Sequence, residues 1–125
     1  MKSYTDLEQS KRLAEILSSE SADMMHDRLV VIPFNDGTLT PCWSLAALLG
    51  VLPDEISMGE GYQNKYEIDI RRYYGGNNIT LYQIAYGNNK GSSGSWHDMI
   101  STSEQEKFVD VCYEMILKLH KLNLL

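Results

Sequence analysis

The sequence predicts an α+β fold: one small antiparallel sheet of three to four strands, packed on two long helices with one short buried helix beside them. Three observations carry that expectation. Residues 103–122 show apolar side chains at helical spacing. Residues 65–86 alternate in polarity on either side of a Gly-Gly-Asn-Asn turn. Residues 5–18 open on a capping motif and continue with an apolar stripe.

At the start, Thr5-Asp6-Leu7-Glu8 has the spacing of a capping box, with Thr5 accepting from the Glu8 amide and Glu8 from the Thr5 amide. The helix that follows carries Leu7, Leu13, Ala14 and Leu17 on one side and stops in the serine run 18–21. Leu29-Val30-Val31-Ile32 is β-branched and apolar, so residues 29–34 are expected to form a strand. Asn35-Asp36-Gly37-Thr38 marks a turn, with Leu39-Thr40 returning as a short partner. Thr40-Pro41 resembles an N-cap followed by a first-turn proline. The next eight residues, 42–49, then form a nearly all-apolar helix that plugs the core, with Gly50 as its stop.

Residues 54–61 are expected to be a loop. In the run 65–74, Tyr66, Ile68 and Ile70 share one face, and Lys65, Glu67, Asp69 and Arg71 the other. Gly75-Gly76-Asn77-Asn78 connects to a returning strand over residues 79–86. That strand is apolar or aromatic on both faces, which suits an interior position. Residues 87–95 are rich in Gly, Ser and Asn and predict a mobile loop. Ser103 and Glu106 form a second capping-box pattern. Phe108, Cys112, Met115, Leu119 and Leu122 make the stripe of the closing helix, widened by Val109 and Ile116. Leu117 falls on the opposite side, with Tyr113 and His120 nearby.

A chain of 125 residues with no repeat and no linker is expected to form one domain over residues 1–125. Its 43% hydrophobic and 22% charged residues argue for a packed core rather than disorder. The net charge of −6 disfavours a nucleic-acid partner, since a phosphate backbone calls for clustered cations. The only adjacent basic pairs are Lys11-Arg12 and Arg71-Arg72, and no longer basic run occurs. Asp6 and Glu8 stand where an export signal needs an apolar run, and no stretch approaches the roughly 20 apolar residues of a membrane span. The expected location is the cytoplasm, with Cys42 and Cys112 as buried thiols.

Chemistry is thinly marked. His26, His97 and His120 lie in different elements, and no metal-ligand spacing occurs, so no metal and no cofactor is expected. Gly59-Glu60-Gly61 is half a dinucleotide fingerprint with no strand before it. Gly91-Ser92-Ser93-Gly94 lacks the lysine of a phosphate loop. Cys42 at the start of a helix, paired with His97, would make a nucleophile; the simpler reading is a space-filling thiol. No catalytic residue is assigned on these patterns, and the chain is expected not to be an enzyme.

The aromatic group Trp43, Tyr62, Tyr66, Tyr73, Tyr74, Tyr82, Tyr86 and Trp96 stands out. Most of these rings suit core or cross-strand positions. Arg71, Arg72, Tyr73 and Tyr74 gather at one end of the hairpin, and Trp96 and His97 follow the glycine-rich loop. Arginine beside aromatic residues is the composition of protein-binding hot spots. These six are therefore the candidate binding residues, for a protein partner of unknown identity. Tyr113, Leu117 and His120 are a second candidate surface, suited to a homodimer. The alternative is a small-molecule or nucleotide-binding module whose pocket is walled by tyrosines.

Three segments also carry a resemblance: Tyr4-Thr5-Asp6-Leu7-Glu8-Gln9-Ser10-Lys11-Arg12-Leu13-Ala14-Glu15-Ile16-Leu17, Pro41-Cys42-Trp43-Ser44-Leu45-Ala46-Ala47-Leu48-Leu49-Gly50-Val51-Leu52-Pro53, and Met115-Ile116-Leu117-Lys118-Leu119-His120-Lys121-Leu122-Asn123-Leu124-Leu125. Together, over about a third of the chain, they resemble a family of small uncharacterised proteins of gut-dwelling anaerobic bacteria, often found among phage-derived or mobile genes. The family has no assigned activity, cofactor or catalytic residue. The resemblance implies an intracellular accessory protein of phage or mobile-element origin. The segment 57–102 carries no specific resemblance.

Overall fold

A computed structural model describes residues 2–59, 64–89 and 94–125. The fold is α+β, and the described residues form three α-helices and two antiparallel sheets. The chain divides into two compact units, Met1–Leu52 and Pro53–Leu125. The single sheet expected from sequence is thus replaced by two, one in each unit.

In the first unit, helix α1 spans Leu7–Ala14. At eight residues it is not the second long helix that the pattern predicts. Its capping box is shifted by one residue. Asp6 Oδ1 accepts from the Gln9 amide at 2.8 Å, and Gln9 Oε1 accepts from the Asp6 amide at 3.1 Å. Thr5 does not cap because it is buried. Its Oγ1 accepts from the Trp43 amide at 3.1 Å and is hydrogen-bonded to Ser10 Oγ at 2.7 Å. Helical geometry ends at Glu15, and the serine run closes into a single 3-10 turn, Ser19–Ser21.

Three strands follow: β1 Met24–Asp27, β2 Val30–Ile32 and β3 Thr40–Cys42, in the order β2-β1-β3. The central strand is Met-Met-His-Asp, which carries no β-branched signal and was not expected. The expected strand over residues 29–34 shrinks to Val30–Ile32 at the edge, with Leu29 fully exposed. The Asn35–Thr38 turn is as expected: Gly37 has φ +84°, and Asn35 and Asp36 side chains accept from the Gly37 and Thr38 amides. The return strand pairs with β1 instead of β2, placing Pro41 opposite Met25. A proline is tolerated there because β3 is an edge strand.

Helix α2 spans Leu45–Val51, so Thr40, Pro41 and Cys42 lie in a strand rather than at a helix start. Ser44 is the cap. Its Oγ accepts from the Ala47 amide at 3.1 Å and donates to Asp23. Gly50 sits inside the helix and does not stop it. Leu48 is buried while Ala46 is exposed, so the residues that fill this core are Cys42 and Trp43, just before the helix.

The second unit holds a sheet of order β4-β5-β6-β7: Glu55–Ser57, Lys65–Tyr74, Thr80–Asn88 and His97–Ser101. Strand β5 has its expected bounds, and β6 is interior as expected. Strand β4 forms inside the expected loop 54–61, and β7 forms in a stretch to which the pattern assigns no element. The Gly-Asn turn takes left-handed φ at Gly76, Asn77 and Asn78. The expected mobile segment 87–95 begins with two residues of β6, and its residues 90–93 lie outside the described residues.

Helix α3, Phe108–Lys121, packs on β6, with the Phe108 and Tyr82 rings stacked at 4.8 Å. Val109, Cys112, Met115, Ile116 and Leu119 of the expected stripe are buried; Leu122 is not. The helix begins five residues after Ser103, which does not cap it. The Ser103 amide and hydroxyl donate instead to Glu114, at 3.0 and 2.7 Å. That carboxylate also accepts from Gln105 Nε2, which fastens the approach segment to the helix.

Candidate functional site

Side chains alternate along a strand, so the register assigns each to a face. In β5 and β6, Arg71 stands opposite Gln83, Tyr73 opposite Leu81 and Asp69 opposite Ala85. Tyr82, which stacks on Phe108, marks the other face as the one beneath α3. Ile84 and Tyr86 share it. Glu55 faces Glu67 across β4 and β5, Glu67 faces Gly87, and Gly87 faces Asp98 across a bulge in β6 and β7. One row across the face opposite α3 therefore runs Glu55, Glu67, Gly87, Asp98.

A polar network covers this face. The Arg71 guanidinium donates to both Asp98 oxygens, at 2.9 and 2.5 Å, and through Nε to Asp69 at 2.7 Å. Its Nη1 also donates to Gln83 Oε1 at 3.3 Å, which accepts from the Tyr73 hydroxyl at 3.2 Å. Gln83 is itself held by the Thr102 carbonyl, at 2.9 Å from Nε2. The Trp96 indole N–H donates to Asp98 at 2.8 Å. Asp98 thus holds a cation and an aromatic ring together. The bidentate contact from Arg71 holds the Asp98 carboxyl below its ordinary range, and the same bond to Asp98 raises the Arg71 guanidinium.

Of the six candidate binding residues, Arg71, Tyr73 and Trp96 come together here. Arg72 and Tyr74 project to the opposite face by alternation, although Tyr74 is 76% exposed. His97 is exposed and pairs with Asn88 in β7, outside the network. The residues that the sequence left unmarked are Asp69, Gln83, Gly87 and Asp98. Gln83 gains meaning only from the register. On α3, Tyr113 and Leu117 are half-buried and His120 is exposed, so Leu117 is not the exposed leucine expected.

Two of the other rings, Tyr86 and Trp43, are core residues. Tyr86 is buried, and its hydroxyl donates to the Pro53 carbonyl at 2.6 Å; burial raises its pKa. Trp43 is buried with its indole N–H on Ser21 Oγ at 2.9 Å. Tyr62 lies outside the described residues, as do Glu60-Gly61 and Gly91-Ser92-Ser93 of the two glycine motifs.

Both thiols are free and buried. Cys42 is fully buried at the end of β3, two residues before the Ser44 cap and not within the first turn of α2. Burial raises its pKa. Its neighbours form a closed polar cluster: Cys42 Sγ donates to the Thr5 carbonyl at 3.4 Å, and His26 Nε2 lies 3.0 Å from both that carbonyl and Ser10 Oγ. A carbonyl only accepts, so Nε2 carries the proton that binds it. Burial pushes the Cys112 thiol up to about 12. Among the described residues, no group of three or more His, Cys, Asp or Glu side chains is placed to hold a metal ion. No helix among them is long and apolar enough to cross a membrane.

Comparison with protein-family models, with curated proteins and with solved structures gives no match.

Proposed function

We propose that the chain is a non-enzymatic accessory protein that binds a protein partner through the face of its four-stranded sheet opposite α3. Trp96 and Tyr73 are the anchors, and Arg71 stands between them. The observation that supports this reading is the double role of Asp98, which fixes the Arg71 guanidinium and the Trp96 indole before any partner arrives. Binding then orders few side chains, which is where rigid anchors gain affinity. A nucleic-acid partner is disfavoured, because Arg71 is already paired with two carboxylates. In this reading the protein acts in the cytoplasm of its bacterial host, in the phage or mobile-element setting that the three resembling segments imply.

The test is affinity capture from native cells with the tagged full chain and its Trp96→Ala, Tyr73→Ala and Tyr113→Ala variants, each first checked for an unchanged melting curve. A partner recovered by the wild type should fall roughly tenfold with Trp96→Ala, as a hot-spot residue requires. Equal recovery by wild type and Trp96→Ala would overturn the proposal. Loss with Tyr113→Ala alone would move the contact to α3.

A further inference from the structure

We infer that the partner of this face is a basic polypeptide segment, whose Lys or Arg side chains lie over Trp96 and between Glu67 and Asp98; this rests on the sheet face being the binding surface. Four carboxylates, Glu55, Glu67, Asp69 and Asp98, share the face with only Lys65 and Arg71 as cations among its described residues. Arg71 is committed to Asp69 and Asp98, so it offers no positive charge to an incoming anion. Glu55 and Glu67 stand directly opposite each other, both exposed, and neither forms an ion pair among the described residues. A like-charged cross-strand pair costs stability in isolation and is relieved by a cation placed beside it.

Trp96 sharpens the assignment. Its ring atoms Cε2 and Nε1 lie against Gly87, in the middle of the carboxylate row, and its N–H is held by Asp98. The residue remains 38% exposed. A partly exposed indole beside carboxylates attracts a cationic side chain twice, through the ring quadrupole and through charge. Neighbouring strands lie about 4.8 Å apart, so the row from Glu55 to Asp98 is about 14 Å long. Several cations of one extended segment can contact it together. An acidic peptide or a phosphate backbone meets a net negative charge there.

The experiment is fluorescence anisotropy of dye-labelled octa-arginine and octa-lysine with the full-length protein. The comparison variants are Glu67→Gln, Trp96→Ala and Glu8→Gln, the last an equal charge change at an exposed residue of α1. Saturable binding is expected, weakened about three- to tenfold by Glu67→Gln and by Trp96→Ala and unchanged by Glu8→Gln. Equal weakening by Glu67→Gln and Glu8→Gln would show general charge attraction and overturn the inference. So would an absence of binding, or tighter binding of labelled octaglutamate or oligothymidylate. If Trp96→Ala abolishes partner capture while these peptides fail, only the basic chemistry of the partner is wrong. If capture survives Trp96→Ala, the sheet face itself is wrong.

Discussion

Trp96 rests on Gly87. A methyl group added at Gly87 would meet Cε2 and Nε1 of the indole at 2.8 Å and the His97 carbonyl oxygen at 2.3 Å. The ring tip has some freedom, but the carbonyl belongs to the paired strand and cannot yield without breaking the ladder. Gly87→Ala should therefore cost about 1–3 kcal/mol through overpacking. Urea unfolding followed by circular dichroism measures it. A midpoint equal to that of the wild type would mean that the two strands are further apart.

Gly50 predicts the opposite sign. It lies within α2, and a methyl group there meets nothing within 4 Å. Its φ is not in the left-handed region. Gly50→Ala should stabilise the chain by about 0.5–1 kcal/mol, by removing backbone freedom from the unfolded state. A loss of stability would place Gly50 at a helix end, as the sequence pattern had suggested.

The buried hydroxyl of Thr5 makes a third test. Its Oγ1 accepts from the Trp43 amide and is bonded to Ser10. Thr5→Val keeps the shape and leaves the Trp43 N–H without that acceptor. The expected cost is about 1–3 kcal/mol, the range for an orphaned buried donor. A neutral substitution in the same urea experiment would mean that water replaces the hydroxyl.

Acid should weaken the Arg71–Asp98 contact. The Asp98 carboxyl is held below its unfolded value, about 3.9, so its contribution is fully present above that pH. It is lost as pH falls through the lower folded value. Asp6, Asp36 and Glu114 are depressed too. For Glu114, burial alone would raise the carboxyl, and the Ser103 and Lys118 contacts outweigh it. The readout is therefore a difference: between about pH 4 and 2 the wild type should lose stability more steeply than Asp98→Asn. Parallel curves would remove Asp98 from the account.

Leu119 tests the packing of α3. It is fully buried within the helix that lies on β6. Leu119→Ala should cost about 2–5 kcal/mol. A cost as small as that of a surface substitution would put this side of the helix in solvent.

The legibility of this chain followed the physics of each segment. Strand β5 and the α3 stripe were readable because period-two and period-3.6 patterns run long enough there to exclude each other. Strand β1 was not, because Met24 to Asp27 is stabilised by two flanking strands rather than by its own residues. Thr5 and Ser103 fit capping boxes by spacing, yet Trp43 and Glu114 claim them through contacts distant in sequence. The site was half legible. Arginine beside aromatics marked Arg71, Tyr73 and Trp96. Pairing Gln83 with Arg71 needs the register, and a four-residue turn in place of the five between Tyr74 and Thr80 would set Tyr82 there instead. A slip of one residue exchanges the two faces.

The two indoles of this chain belong to different units. Trp43, at 0% exposure, lies in Met1–Leu52, and Trp96, at 38%, lies in Pro53–Leu125. Their emission should differ in colour, the sheltered ring bluer than the wetted one. Each half of the molecule thus carries its own optical label, and removing one ring at a time would reveal whether the halves melt in step or in sequence.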